Sequence, residues 1–207
     1  MIISKLVFEK EGATAERFFK TSHTSFYRFP DGEILTVTSY EKRVSPLGVA
    51  GMPLQPNWIA VESGKLVFEN VVIDSFQLYD PKVKKITKIS GCRRYFDILL
   101  EKSGKDFLRI FERMKRGDFS SIVGLGPGLT PLGDDILSGM ASVGFKLDFP
   151  IRTSDISRQQ ILHAVKGYVP LPVKEFLENG IEDGILEMGA TSGAGWAFGI
   201  TYLLEGC

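Results

Sequence analysis

The segment Gly124–Asp135 reads Gly-Leu-Gly-Pro-Gly-Leu-Thr-Pro-Leu-Gly-Asp-Asp, with four glycines, two prolines and two adjacent carboxylates in twelve residues. Gly124, Gly126 and Gly128 can adopt backbone angles closed to other residues, and such a run can turn successive N–H groups inward as an anion nest. Thr130-Pro131 reads as a helix start, threonine as N-cap and proline at the first helical position. An anion above it would also meet the positive end of a helix dipole. Asp134 and Asp135, the candidate catalytic pair, complicate that chemistry, because two carboxylates beside a nest repel an anion. Three roles are open to them: holding Mg²⁺ that bridges to a phosphate, accepting hydrogen bonds from a substrate amide, or complementing the helix dipole. Neighbours on a helix diverge by about 100°, so the two do not share one task.

A second cluster, Gly189-Ala190-Thr191-Ser192-Gly193-Ala194-Gly195, directly precedes the apolar stretch Trp196–Leu204. Small residues and hydroxyls again stand before a helix N-terminus, which makes Thr191, Ser192 and Gly193 a candidate second wall. A close-packed helix crossing is the other reading of these glycines. Neither loop has the spacing of the Walker or dinucleotide fingerprints, and the chain has no Ser-His-Asp order, HExxH or paired histidine-ligand spacing. His163, beside Ile161 and Leu162, reads as a structural histidine, and His23 lies in a polar strand approach. Arg93-Arg94 is either a guanidinium fork for an anion or a solvated pair. Cys92 and Cys207 are the only cysteines. Without a CxxC or metal-ligand spacing, Cys92 reads as a small buried apolar group.

The elements that must position these residues fall into two halves. Up to about Asp80 the pattern is that of strands. Ser25–Phe29 and Ile34–Tyr40 flank the turn Pro30-Asp31-Gly32, and Trp58–Val61 turns through Glu62-Ser63-Gly64 into Leu66–Phe68, with Val71–Ile73 behind. Between them Ser45–Pro53 reads as an irregular connection. From Gly91 the period becomes helical: Tyr95, Phe96, Leu99 and Leu100 share one face, then Phe107, Ile110, Phe111 and Met114, with Gly117 as a stop. Ile136–Leu147 reads as a buried helix in which Gly139 and Gly144 allow close approach. Further helices are expected over 155–166, from Pro170 to Asn179-Gly180, and over 196–204. The expectation is an α+β protein, a β-rich sheet or barrel over 1–89 and a mainly helical domain over 90–207.

Composition narrows the partners. Lys+Arg and Asp+Glu are both 25, a formal net charge of +0, which leaves no electrostatic footprint for nucleic acid. No apolar run approaches membrane-spanning length and the first residues lack a signal-peptide pattern. A cytoplasmic chain with a small anionic substrate and no membrane partner is expected.

The first loop resembles the signature of the AllH-like family, long catalogued as a domain of unknown function and linked to allantoin catabolism. Pro30-Asp31-Gly32, the Ser45-Pro46-Leu47-Gly48 turn and Gly189–Gly195 extend the resemblance more loosely. It implies a subunit of an oxamate carbamoyltransferase, which exchanges a carbamoyl group between oxalurate and phosphate and works with partner subunits. Carried onto this chain, it implies that Gly124, Gly126, Gly128, Thr130, Gly133, Asp134 and Asp135 form the ligand loop, with Thr191, Ser192 and Gly193 opposite. Leu132 departs from the family's small polar residue, and Gly193-Ala194-Gly195 from its frequent acidic one. The alternative function is a non-catalytic module that binds a small anion and regulates or scaffolds a complex.

Overall fold

A computed structural model describes residues 1–53 and 55–207, and the chain divides into two compact units, Met1–Lys82 and Val83–Cys207. The architecture is α+β, with a curled sheet in the first unit and helices in the second.

The strands of the first unit are β1 (Ile2–Ser4), β2 (Thr14–Lys20), β3 (Thr24–Arg28), β4 (Ile34–Thr38), β5 (Gly48–Ala50), β6 (Trp58–Glu62), β7 (Lys65–Phe68), β8 (Val71–Ile73) and β9 (Gln77–Tyr79), with one short helix, α1 (Lys5–Phe8). They form one sheet of order β8-β7-β6-β2-β3-β4-β5-β1-β9. Both expected hairpins are present. β3 and β4 pair antiparallel from Thr24↔Thr38 to Arg28↔Ile34, and Gly32 takes the positive φ (+89°) that their turn requires. The irregular connection expected over Ser45–Pro53 instead contains β5, which runs parallel to β4 and antiparallel to β1. All three residues of β5 are buried, so the strand lacks the alternation that marks a half-buried one. The core of this unit gathers Ile3, Tyr27, Leu35, Val49, Ile59 and Leu66.

The second unit holds α2 (Cys92–Lys115), α3 (Leu132–Ser142), α4 (Asp155–Val165), α5 (Leu171–Asn179), α6 (Asp183–Leu186) and α7 (Ser192–Glu205). The two helical faces expected before the glycine loop are the two limbs of α2, which breaks at Gly104 (φ +48°, ψ −118°). The segment after Lys82 is tied to this unit: Val83 N–H donates to the Gly167 carbonyl at 2.9 Å and Thr87 N–H to that of Leu177 at 2.8 Å.

α3 is buried along its whole length and crosses α7 at backbone contact. A methyl at Gly139 would strike the Trp196 carbonyl, and one at Gly199 the Ile136 carbonyl. Gly144 plays no such part; it lies beyond the helix at φ +103° with open space around it. Cys92 is buried as expected but is half of a disulfide with Cys207, their Cα atoms 5.8 Å apart across 115 residues. That distance along the chain hides the pairing from any spacing rule. No helix among the described residues is long and apolar enough to cross a membrane.

Candidate functional site

The two glycine loops meet. Pro127, Gly128, Leu129 and Thr130 of the first and Ala190, Thr191 and Ser192 of the second line a cavity of about 500 Å³, closed on a third side by Lys102, Ser103 and Asp106 of α2. The Thr130 and Ser192 hydroxyls, 62 residues apart in sequence, lie 3.3 Å from each other. Lys102 Nζ donates to the Ala190 carbonyl at 3.1 Å, which ties the ammonium to the second loop.

The first loop is held by its own aspartate. Asp134 is fully buried; its Oδ1 accepts from the Gly124 N–H at 2.7 Å and its Oδ2 from the Thr153 hydroxyl at 2.6 Å. The Gly133 N–H is likewise taken, by the Leu125 carbonyl at 2.9 Å, and a methyl at Gly133 would strike the Ile122 carbonyl. Gly126 has φ +116°, and a Cβ there would lie 2.9 Å from the Leu132 amide. Gly124, Gly126, Gly133 and Asp134 therefore shape the loop from inside. The helix cap also differs from expectation: α3 starts at Leu132, with Pro131 at the cap position and no side-chain cap. Thr130 is freed to face the cavity instead.

At the cavity the Thr130 and Ser192 hydroxyls and the Lys102 ammonium are donors, while the Gly124, Leu125 and Gly133 amides are used inside the loop. Of the expected site residues, Gly128, Thr130, Thr191 and Ser192 line the cavity. Gly193 packs beneath, its N–H donating to the Met188 carbonyl at 2.9 Å and its Cα too close to the Ile185 carbonyl for any side chain.

Asp135 is the unusual group. It is fully buried, and its Oδ1 accepts from the Gln160 side-chain amide at 2.9 Å. Its Oδ2 is buried with no hydrogen bond of normal geometry. Burial first, and the neighbouring Asp134 carboxylate after it, push the Asp135 carboxyl up to about 7, against the lowering pull of Gln160, Ser192 and Thr130. The two aspartates have different partners: Asp134 closes the loop onto Gly124, and Asp135 meets Gln160 of α4.

This arrangement does not fit the Mg²⁺ role. Both oxygens of Asp134 and one of Asp135 already accept hydrogen bonds. That leaves one buried oxygen of a carboxyl near its neutral form, a poor match for a cation that needs ionised oxygen ligands. Among the described residues no group of three or more His, Cys, Asp or Glu is placed to hold a metal ion.

α4 supplies what the sequence reading missed. Ser154 caps it by accepting from the Ser157 N–H at 3.2 Å, and both serine hydroxyls donate to the Leu129 carbonyl at 3.3 Å. With Thr153 and Gln160 they pin the loop. A serine three residues ahead of another at a helix start was the available signal for the cap; Lys102 and Gln160 left none. The remaining candidates lie elsewhere. His163 is buried, with Tyr168 edge-on at 6.3 Å. His23 is exposed, 3.4 Å from the Ser39 hydroxyl. Arg93 pairs with Asp97 at 3.2 Å and Arg94 with Glu182.

Fold and site define an α+β protein whose helical unit carries a cavity with a pair of hydroxyls on its wall and a buried carboxyl beside it. No protein-family model, curated protein or solved structure matches the chain.

Proposed function

We propose that this chain is a carbamoyltransferase-related subunit, similar to oxamate carbamoyltransferase, whose cavity binds carbamoyl phosphate or a like acyl phosphate with a small carboxylate. The observation that supports this reading is the 3.3 Å approach of Thr130 and Ser192, which joins the two glycine loops at one cavity. Carbamoyl transfer passes through a tetrahedral centre, and its developing oxyanion is stabilised by donors fixed beforehand. The Thr130 and Ser192 hydroxyls are such donors, held by an anchored loop and a helix start. Lys102 supplies positive charge for the phosphate. The repulsion raised by the paired aspartates is lessened, because Asp135 is held toward its neutral form and Asp134, whose charge is met by the Gly124 N–H and the Thr153 hydroxyl, is not among the residues lining the cavity. A cavity of about 500 Å³ has ample room for ligands of this size.

Partner subunits complete the reaction in this reading, and the chain works in the cytoplasm. The second reading, a non-catalytic anion-binding module, is favoured by one feature: no histidine lies among the residues lining the cavity. Carbamoyl phosphate formation from oxalurate and phosphate, assayed with the chain alone and with co-encoded proteins, separates the two. Turnover that is lost in Ser192→Ala supports the transferase. Saturable binding without turnover in every combination assigns the module, and absence of binding overturns both.

A further inference from the structure

The surroundings of Asp135 decide where its proton sits. Gln160 Nε2 donates to Asp135 Oδ1 at 2.9 Å and to Ser138 Oγ at 3.1 Å, while that serine donates onward to the Asp134 carbonyl at 2.7 Å. Both amide hydrogens of Gln160 are thereby directed, and Oδ1 is fixed as an acceptor. A proton on Asp135 belongs on Oδ2, the buried oxygen without a normal partner. The Asp135 side chain packs against the first turn of α7, where a Cβ at Gly195 would lie 3.0 Å from Asp135 Cβ, and the Ser192 and Thr130 hydroxyls act on its carboxyl from that side.

Two arrangements follow. With Oδ2 protonated, the carboxyl donates to a wall hydroxyl, and the hydroxyl protons are free to turn into the cavity. An acceptor ligand is then matched. With Oδ2 ionised, the carboxylate draws those protons back and the hydroxyls present lone pairs, with negative charge behind them. A donor ligand is then matched and an anion opposed.

We propose that protonation of Asp135 sets the hydrogen-bond polarity of the Thr130–Ser192 wall, so that the cavity takes an oxyanion together with one proton and an amide donor without it. Asp135 is in this role a specificity-determining residue that acts through two hydroxyls. The inference rests on the anion-binding reading of the same cavity.

The ionisable groups around Asp135 are few. On its own helix Asp134 is bound to Gly124 and Thr153, and its charge favours the proton. α2 contributes Lys102 and Asp106 at the cavity. α4 presents neutral Gln160 to Asp135 and also carries Asp155, Arg158 and His163. The ionisable residues of α7, Tyr202 and Glu205, lie at its far end.

The test is calorimetric titration of sulfate, which stays a dianion across the range, into the intact chain between about pH 5.5 and 8.5. The expected result is affinity that falls on the order of tenfold per pH unit above about 7, with proton uptake approaching one when heats are compared in buffers of different ionisation enthalpy. Asp135→Asn keeps an acceptor for Gln160 and places an N–H donor where the acid proton stood, so its sulfate affinity should be flat with pH and its proton uptake zero. Wild-type affinity that is flat with pH, wild-type uptake of zero, or the same pH dependence in Asp135→Asn overturns the inference while leaving the anion site intact. Failure of sulfate to bind at any pH overturns both. If the variant does not fold, wild-type proton uptake alone decides.

Discussion

Oδ1 of Asp134 accepts a hydrogen bond from the Gly124 N–H at 2.7 Å, so the glycine loop is closed from its far end onto its first residue. The bond is charge-assisted and buried, and Thr153 occupies the other oxygen. Asp134→Ala removes both acceptors at once. We expect a loss of roughly 3–6 kcal/mol in urea denaturation, since two bonds to a charged group contribute ~1.5–3 kcal/mol each. Asp135→Asn should lose much less, because an uncharged amide replaces a carboxyl that burial already disfavours as an anion.

The pH dependence of stability isolates Asp135. Its carboxyl rises from 3.8 to about 7 on folding, chiefly by burial. A group that holds its proton more tightly in the folded chain contributes stability fully below its unfolded value and loses that contribution as pH rises through the folded one. Between those two values wild type should lose up to about 1.4 kcal/mol per pH unit relative to Asp135→Asn. Unfolding free energies of both proteins over this window check the sign. A constant difference between them contradicts the assignment.

Three glycines, two at the α3–α7 crossing and one where α3 meets the turn at Ile122, leave no room for a side chain. Gly139→Ala, Gly199→Ala and Gly133→Ala each drive a methyl into a backbone carbonyl, of Trp196, Ile136 and Ile122 respectively. Carbonyls of packed helices and of an anchored turn cannot swing aside, so each should lose at least about 1–3 kcal/mol by chemical denaturation. Gly184→Ala is the contrasting case, with its Cβ 3.5 Å from Pro172, and should be neutral or stabilising.

Reduction of the Cys92–Cys207 disulfide should lower stability by about 2–4 kcal/mol, and Cys207→Ser should reproduce the loss without reductant. The same bond bears on the cytoplasmic part of the proposal, because reducing compartments keep thiols free. Because the proposal places the chain in the cytoplasm, thiol trapping in intact cells followed by mass measurement should find Cys92 and Cys207 alkylated, and protection of both contradicts that part of the proposal.

Local chemistry made much of this legible in sequence. Pro30-Asp31-Gly32 carries its own turn geometry, and the apolar periods around Tyr95 and Ile110 carry theirs, so hairpin and helices could be read residue by residue. β5 could not, since a strand buried on both faces shows no period of two. The glycine loop was recognisable as a built feature, but its composition alone did not separate glycines that approach a ligand from glycines that approach their own backbone. Gly126 and Gly133 are of the second kind, and only the positions of Leu132 and Ile122 reveal it. Gln160 and Lys102 reach the site from α4 and α2, a placement set by tertiary packing.

Calorimetric titration of carbamoyl phosphate into wild type and into Thr130→Val/Ser192→Ala tests the central claim most directly. The account predicts saturable binding at one site per chain in wild type. In the double variant it predicts binding weakened about five- to 150-fold with the unfolding midpoint little changed, since two hydroxyl contacts contribute ~0.5–1.5 kcal/mol each. Equal affinity in the two proteins, or no binding to wild type, contradicts it.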